Sequence, residues 1–480
     1  MWQTLIYIPA KVGGIPLFGF GLLAVIWAVI SLLVMALQLR RSGWNADAAG
    51  TLVTLAVLGG LICFVLPNVM VEIPGTRSAD GRPVYGLPIR GYGTMLLLAV
   101  AAALLLAMHR ARRRGLDPGM VINLAFWIIL PGILGARLFH VIEYWPVHYG
   151  PVLREQGWAA ALAAVVNISA GGLVVYGSLI GGLLGGAAFI VRYGFPFWAT
   201  LDLITPSLAL GLAIGRLGCF LNGCCFGGAC DLPWAVRFPP GSPAYEHQLA
   251  HGDLYIAGVK LGEDPATPQG PPVIRSVLPG SPAEKCGVKI GMPVLAVNGY
   301  ATTGENRGRG AEPRVLAPGC ASGLCSWAGK GEHPPDSVRA GVRLLLHAVA
   351  NAGRDGVPVE IALTTQDGKT LRWADASPLP ARGEPLHPTQ LYSSLNALIL
   401  LLVLLAFEPF QKRDGELLAL LLTLYPIARF TIEILRNDEP GAYWGLTISQ
   451  VLSIVLLLSA VGLWIYLRRF GSRKADPPVQ

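Results

Sequence analysis

The chain has 480 residues, of which 53% are hydrophobic and only 14% are charged. Ordinary globular domains carry roughly 25% charged residues, so this chain has too few charges to cover a soluble particle of its size. Its formal net charge of +8 lies in short clusters beside apolar runs, as in membrane proteins, and not along a phosphate-binding face. The composition predicts a polytopic α-helical membrane protein of the inner-membrane type with no nucleic-acid partner.

Nine apolar runs are long enough to span a bilayer, since a helix needs roughly 20 apolar residues to cross about 30 Å of hydrocarbon. They lie near Pro16–Gln38, Gly50–Val69, Gly91–Ala107, Met120–His140, Leu173–Arg192, Leu201–Leu221, Thr389–Phe407, Glu416–Leu435 and Leu446–Tyr466. Basic residues follow alternate runs, at positions 40–41, 109–114, 192, 412–413 and 468–469. The positive-inside rule then predicts an extracytoplasmic N-terminus and a cytoplasmic C-terminus. Because no basic n-region precedes the first run, we expect a retained span and not a signal peptide.

The interval from about Gly228 to Pro385 interrupts these runs, and the same topology places it outside the membrane. Turn chemistry and periodicity predict a strand at Val273–Val277, a helix capped by Ser281, a turn at Asn298-Gly299, a helical stretch over Asp336–Ala352 and a hairpin over Val357–Trp373 that turns at Asp367-Gly368. This order resembles a PDZ domain. Such domains add a peptide as an extra strand at a sheet edge, so the resemblance leaves open a peptide ligand or a purely structural insert.

Polar side chains within apolar spans mark candidate sites, because they are costly in lipid. They are Arg137 and His140 in the fourth run, Tyr176 (followed by Gly177) in the fifth, Arg216 and Asn222 in the sixth, His387, Gln390 and Tyr392 at the seventh, and Arg429 and Glu433 in the eighth. The predicted topology places them toward the outer half of the membrane, where they can face one cavity. Singly, each also has a structural interpretation: snorkelling for Arg137, an ion pair for Arg429 and Glu433, and helix packing for the glycines of the fifth run.

Six motifs now point to one family. They are RGYG (Arg90–Gly93), GARL (Gly135–Leu138), the stretch Tyr176–Gly182, GRLGCFLNGCCFGG (Gly215–Gly228), HPTQLY (His387–Tyr392) and YPIARFTIEILR (Tyr425–Arg436). Together they resemble the prolipoprotein diacylglyceryl transferase family of the bacterial inner membrane, from about Ile89 to Tyr466. The resemblance implies a seven-span core at 89–228 and 385–480. It leaves two additional spans in 1–88 and an external head with the PDZ-like insert at 229–384.

That family moves a diacylglyceryl group from phosphatidylglycerol to the lipobox cysteine thiol of a prolipoprotein and releases glycerol phosphate. The resemblance thus implies a lipid donor, a lipobox peptide acceptor, a bilayer environment and no cofactor. Arginine suits the phosphate, because its planar fork matches phosphate oxygens. The implied catalytic residues are Arg216, Arg429, Glu433, Tyr176 and His387. The implied substrate-binding residues are Tyr92, Gly177, Asn222, Gly223, Gly227, Gln390, Tyr392 and Tyr425.

The chain departs from the family pattern where a base would act. Tyr176 stands where the family often has histidine, and Cys219 and Cys224 stand where other members carry Asn and Glu. A tyrosine with a pKa near about 10 is a poor base at neutral pH. The lipobox thiol, with a pKa near about 8.5, is then activated by the arginines or by another group, and His387 is better placed for this than His140.

The cysteines at the end of the sixth run and just beyond it also leave alternatives open. Cys219, Cys224, Cys225 and Cys230 lie close together without a CxxC pair or a neighbouring histidine, so we expect small packing residues and no metal. Disulfides between Cys225 and Cys230, or between Cys320 and Cys325, are a further interpretation for an external segment.

Three other functions compete with the transferase. A zinc-dependent intramembrane protease needs HExxH, but none of the eight histidines precedes a glutamate. A serine protease is disfavoured because no span supplies a convincing histidine partner for Ser178. A transporter is disfavoured because the halves show no repeated pattern. An inactive, transferase-like protein that binds lipid or peptide stays open because of Tyr176.

Overall fold

The computed structural model describes residues 3–12, 14–77, 83–167, 172, 174–264, 267, 270–302, 341–342, 344–346, 349, 359–375, 379–436 and 445–471. It divides into two compact units, Trp2–Thr94 and Met95–Gln480. Nine of the helices within the described ranges are long and apolar enough to span a membrane. The predicted polytopic α-helical architecture is therefore confirmed, and its nine spans match the nine apolar runs.

The unit Trp2–Thr94 combines two spans with a small sheet. Its elements are β1 (Thr4–Pro9), β2 (Lys11–Val12), β3 (Ile15–Pro16), α1 (Leu22–Ser42), α2 (Ala46–Gly60), β4 (Val71–Arg77) and β5 (Pro83–Arg90). Strand β5 pairs antiparallel with both β1 and β4. The first helix begins six residues later than the apolar run, because Gly19 takes a left-handed φ of 71° that helical backbone does not allow. The sheet was not predicted from the sequence.

The unit Met95–Gln480 holds the other spans and, between the sixth and seventh of them, a region of short helices and strands that we call the head. Its helices are α3 (Gly91–Arg113, begun in the first unit), α4 (Pro118–Glu143), α5 (Gly150–Val166), α6 (Val175–Tyr193), α7 (Phe197–Asn222), α8 (Pro243–Ala250), α9 (Pro282–Lys285), α10 (Thr389–Phe407), α11 (Glu416–Ile434) and α12 (Ile448–Phe470). Helix α5, which is interrupted at Gly157, was not predicted.

Glycines let α4 and α6 approach closely. A Cβ atom at Gly177 would collide with the carbonyl oxygen of Gly135, and one at Gly181 would collide with that of Pro131. Without a hydrophobic driving force in lipid, such small residues allow the backbone contact that holds spans together. The packing interpretation of the glycines in the fifth run is thus confirmed.

Arg137 does not snorkel toward headgroups, and that expectation was wrong. Its side chain is buried, and it donates hydrogen bonds to the carbonyl oxygens of Ala164 (2.7 Å), Val165 (2.7 Å), Asn167 (3.0 Å) and Gly172 (3.1 Å). These carbonyls belong to the last turn of α5 and to the residues after it, where helical partners are missing. A planar guanidinium with five donors satisfies them together, so Arg137 ties the α5–α6 connection to α4.

The head contains the elements expected of the insert. Its strands are β6 (Val259–Gly262), β7 (Val273–Val277), β8 (Val294–Val297), β9 (Tyr300–Ala301), β10 (Val359–Thr365) and β11 (Thr370–Asp375), with the sheet orders β11-β10-β8-β9 and β6-β7. Ser281 caps α9 by accepting the backbone N–H of Glu284, and Asn298-Gly299 takes left-handed φ values of 48° and 84°. The strand, cap and turn predictions are confirmed. Helical residues occur at 341–342, 344–346 and 349, while Cys320 and Cys325 lie outside the described residues.

The head also carries a buried histidine whose titration affects stability. His247 in α8 stacks on His251 at 4.0 Å between ring centroids and packs against Phe226. Burial, with the nearby His251, lowers the pKa of His247 to about 4, whereas an unfolded histidine titrates near about 6.5. The unfolded chain therefore binds more protons than the folded one between these pH values, and stability falls as the pH drops through this window.

Between pH 7.5 and pH 5, we expect the free energy of unfolding of the head to fall by about 1–2 kcal/mol more in the parent protein than in the His247→Phe variant. This variant retains a ring at the position. Urea titrations followed by tryptophan fluorescence at both pH values measure the difference. Equal pH dependence of the two proteins would show that His247 is not kept neutral by the fold.

Candidate active site

A small cavity opens between α7, α10 and α11. Its lining residues are Leu212, Arg216, Ser393, Asn396, Ala397, Tyr425, Arg429 and Ile432. Arg216 comes from the sixth span and Arg429 from the eighth, so the fold brings together two guanidinium groups from distant parts of the chain. The predicted convergence of these two side chains on one cavity is confirmed.

Glu433 holds the arginines of α11 in place. Its side chain is completely buried, and one carboxylate oxygen pairs with Arg429 at 2.7 Å and with Arg436 at 3.3 Å. The other oxygen accepts the hydroxyl of Thr447 at 3.2 Å, and Arg429 also donates to Ser449 at 2.9 Å. Because a buried carboxylate is stable only with such partners, Glu433 fixes the orientation of both guanidinium groups.

The site is strongly cationic. Arg216, Arg429 and Arg436 each interact electrostatically with the other two, and Glu433 is the carboxylate that pairs with two of them. Three guanidinium groups against one carboxylate leave a net positive charge in a partly buried, low-dielectric region. Such an arrangement favours an anionic ligand, and the planar donors match a phosphate in particular.

The loop that follows α7 is clamped against the start of α10 and the end of α11. Gly223 ends α7 with a left-handed φ of 79°, and Gly227 and Gly228 donate backbone hydrogen bonds to His387 (3.0 Å) and Leu435 (2.9 Å). A Cβ atom at Gly227 would lie 2.6 Å from that of His387, which leaves no room for a side chain. Gly223 therefore provides the left-handed backbone that ends α7, and Gly227 allows the two backbone segments to approach closely.

Three thiols of this loop and of α7 meet in one place. The sulfur atoms of Cys219, Cys224 and Cys225 all lie within 4.8 Å of one another. Hydrogen bonds from Cys219 and Cys224, and then the charges of Arg436 and Arg216, hold the pKa of the Cys225 thiol well below its usual range. Cys225 and Cys230 are both free cysteines, so the disulfide considered between them is not formed in the structure.

His387 and Tyr392 form a separate polar contact beside this loop. The ring nitrogen Nδ1 of His387 lies 3.3 Å from the hydroxyl of Tyr392, which accepts a hydrogen bond of 2.8 Å from Trp234. Gln390 is fully buried and donates to the carbonyl of Cys224 at 2.7 Å. These side chains of the HPTQLY motif therefore position the loop, and neither His387 nor Tyr392 belongs to the cavity lining given above.

The remaining candidate residues occupy three other places. Tyr176 lies in the first turn of α6 and is 38% exposed, Asn222 is the last residue of α7, and Tyr92 lies in the first turn of α3, within the unit Trp2–Thr94. Gly177 is buried against α4. Among these, the structure brings none into the lining of the cavity.

Sequence reasoning missed several polar residues of the site. Arg436 shares Glu433 with Arg429, Thr447 and Ser449 begin α12, and Ser393 and Asn396 line the cavity from α10. The spacing of three between Glu433 and Arg436 was a usable signal, since such pairs share a helix face. The residues of α10 and α12 follow only from the packing of the helices.

Taken together, nine spans and a cationic cavity beside a thiol-rich loop define a polytopic membrane protein whose cavity carries a surplus of positive charge. The family model for prolipoprotein diacylglyceryl transferase matches residues 83–268 and 346–466. A phosphatidylglycerol–prolipoprotein diacylglyceryl transferase of Rhodopirellula baltica is 32% identical over 100% of this chain and 92% of its own length. The chain therefore belongs to the prolipoprotein diacylglyceryl transferase family.

Two relatives with the same printed function cover less of the chain. The protein of Synechococcus elongatus is 37% identical over 35% of this chain and 53% of its own length. That of Thermosynechococcus vestitus is 34% identical over 36% of this chain and 65% of its own length. Residues 269–345, within the head, fall outside the family match but inside the alignment with the Rhodopirellula protein, which covers the whole chain.

Proposed function

We propose that Arg216, Arg429 and Arg436 bind the phosphate of phosphatidylglycerol in the diacylglyceryl transfer that this membrane enzyme catalyses. The observation that carries the proposal is the single cavity lined by Arg216 and Arg429, with Arg436 attached through Glu433. A phosphate diester carries one negative charge, which the surplus of guanidinium groups neutralises. Arginine keeps its proton in every protein environment, so this charge does not depend on pH.

Negative charge develops on the leaving group during the reaction, and this charge must be stabilised. The thiolate sulfur of the lipobox cysteine attacks the glyceryl carbon, an S–C bond forms, and the C–O bond to phosphate breaks. The electron pair leaves with the phosphate oxygen as glycerol phosphate. Fixed donors aimed at this developing charge lower the barrier, because they need no reorganisation during the reaction. Glu433 is a positioning residue in this scheme, since it acts through Arg429 and Arg436.

The other side chains have supporting roles in the proposal. Tyr425 lines the cavity and supplies a hydroxyl donor, and Tyr92 and Asn222 are proposed as donors to lipid oxygens. Gln390, Tyr392, Gly223 and Gly227 shape the loop beside the cavity. Gly177 acts through the packing of α6.

The reaction is tested with purified protein in lipid nanodiscs that contain phosphatidylglycerol and a lipobox peptide. We expect glycerol phosphate release together with a matching gain of peptide mass. Phosphatidylcholine as donor and a peptide with serine in place of the cysteine are the controls, and neither should support release. A protein that binds phosphatidylglycerol without releasing glycerol phosphate would instead be an inactive lipid-binding relative.

Tyr176 is proposed to contribute a hydrogen bond and not to act as the base. The Tyr176→Phe variant is expected to lower kcat/KM about tenfold, which is the size of one hydrogen bond to a charged group. Tyr176→His is expected to transfer at least as fast as the parent, because imidazole can both donate and accept. Equal rates for the Tyr176→Phe variant and the parent would remove this residue from the reaction.

We further propose that the N-terminus and the head are extracytoplasmic and that the head binds peptide at a sheet edge. The motivation is the alternation of basic clusters and the edge strand β11 in the order β11-β10-β8-β9. A membrane-impermeant maleimide should label Cys286 of the head in spheroplasts of a strain whose protein retains only this cysteine. Labelling that appears only after the membrane is permeabilised would reverse the topology.

A further inference from the structure

The three-thiol cluster is the feature of the site that the phosphate chemistry does not use. Cys219, Cys224 and Cys225 each offer one sulfur atom, and the three atoms lie within 4.8 Å of one another. The spacing of these cysteines in the sequence argued against a metal, since no CxxC pair is present. The fold overrides the spacing, because the last turn of α7 and the loop turn all three sulfur atoms toward a common point.

Hydrogen bonds from the start of α10 hold the loop in this geometry, although its backbone is strained at one position. Cys225 takes a left-handed φ of 57°, a backbone conformation that is costly for a residue with a side chain. The hydroxyl of Thr389 donates to its carbonyl oxygen at 2.7 Å, and Gln390 donates to that of Cys224 at 2.7 Å. Gln390 is fully buried, and its Oε1 has no hydrogen-bond partner among the described residues.

Three sulfur ligands are the donor set of a soft metal ion of the zinc class. Zinc in catalytic sites has three protein ligands and one open position, whereas structural sites are closed by a fourth. Three thiolates around a divalent cation leave one net negative charge. Arg216 and Arg436, which interact electrostatically with Cys225, offset this charge, so the surroundings suit a metal thiolate.

We propose that Cys219, Cys224 and Cys225 bind one zinc ion and leave its fourth position for the thiol of the acceptor peptide. This assignment of the fourth position rests on the transfer reaction proposed above. The acceptor thiol replaces a bound water and releases its proton to solvent, because a metal deprotonates a coordinating thiol. Its sulfur then attacks the glyceryl carbon, and the electron pair of the C–O bond leaves with glycerol phosphate. The thioether product is a weaker ligand and is replaced by water.

The proposal supplies the thiol activation that Tyr176 cannot provide. It also keeps the activated sulfur in the same region as the guanidinium groups that bind the phosphate, so that nucleophile and leaving group can meet at one glyceryl carbon, on its opposite sides.

Metal content tests the site directly. Full-length protein is purified in detergent, equilibrated with zinc and a competing chelator, and analysed by mass spectrometry for zinc per chain. We expect about one zinc per chain for the parent and at least about tenfold weaker binding for Cys219→Ser and Cys225→Ser. Cys230→Ser is the matched control, because Cys230 lies in the same segment outside the cluster, and it should bind zinc as the parent does.

Cobalt substitution gives a readout that is independent of activity. Cobalt(II) bound by thiolates shows a charge-transfer band, and a lipobox peptide should increase this band while a peptide with serine in place of cysteine should not. Zinc binding no stronger than that of a Cys219→Ser/Cys224→Ser/Cys225→Ser triple variant would overturn the site. Peptide mapping of the unreduced, denatured chain that finds a disulfide involving Cys219, Cys224 or Cys225 would also overturn it.

The two proposals fail separately. Metal-free protein that transfers at the full rate overturns the role of the zinc ion in activating the acceptor thiol and leaves the transferase standing. Protein that binds zinc, and that shows the peptide-dependent band when loaded with cobalt, but releases no glycerol phosphate supports the site and overturns the catalytic proposal.

Discussion

Replacing Arg216 with glutamine is expected to lower kcat/KM for diacylglyceryl transfer by about 10²–10³-fold, or roughly 3–4 kcal/mol of transition-state stabilisation. Arg216 lines the cavity from α7, and among the described residues the ion pairs of Glu433 are made with Arg429 and Arg436. Its charge is therefore available to the leaving phosphate. Glutamine retains a donor of similar length but removes the charge. Glycerol phosphate release at several phosphatidylglycerol concentrations measures kcat and KM separately.

The pattern across variants distinguishes phosphate binding from general damage. Arg216→Lys should recover only part of the loss, because a lysine ammonium is a point charge without the planar fork. Arg429→Gln should also lower kcat, and the double variant should lose less than the product of the single losses if both groups contact one phosphate. Arg192→Gln, which removes an exposed arginine of α6, is the matched control and should transfer as the parent does. Parental kcat in Arg216→Gln would remove the assigned role.

The apolar runs fixed the spans well, since the length of a hydrocarbon crossing is imposed by the bilayer and not by tertiary contacts. Helix α10 has the predicted bounds Thr389–Phe407, and α11 ends at Ile434 instead of Leu435. Elements held by long-range pairing were missed. Strand β1 pairs with β5 across some eighty intervening residues, and nothing in the local pattern of Thr4–Pro9 specifies that partner.

The site was predictable where a residue type was unusual for its surroundings. An arginine in an apolar span is costly, which identified Arg216 and Arg429 correctly as residues of one cavity. Arg137 met the same criterion and serves a different purpose, because its partners are backbone carbonyls at the end of α5. The sequence cannot separate the two cases, since free carbonyls arise only when the helix ends are placed. The thiol cluster was not predicted from the sequence for a related reason, because its geometry depends on the left-handed backbone of Cys225.

A second buried polar network stabilises the opposite end of α7. Asp202 is completely buried, and its carboxylate accepts hydrogen bonds from the side chain of Gln411 and from the backbone N–H groups of Gly415 and Leu418. It thereby caps the first turn of α11 from a different helix, where N–H groups lack intrahelical partners. The last turn of α3 joins this network, since Arg110 donates to the carbonyl oxygens of Asp202 and Leu203 and pairs with Glu408 at 2.8 Å.

We expect Asp202→Ala to lower the free energy of unfolding by about 2–4 kcal/mol, because several buried donors lose their acceptor at once. The apparent melting temperature in detergent should fall by about 5 °C or more. Thr205→Val is the matched control: Thr205 is equally buried in the same helix, and its hydroxyl donates only to the carbonyl of Leu201, so its loss should cost under about 1 kcal/mol. Asp202 lies fourteen residues, or about 20 Å of helix, from Arg216, and folded Asp202→Ala protein should therefore retain parental kcat at low temperature. A variant with parental stability and a reduced kcat would show instead that Asp202 serves the reaction and not the packing of α3, α7 and α11.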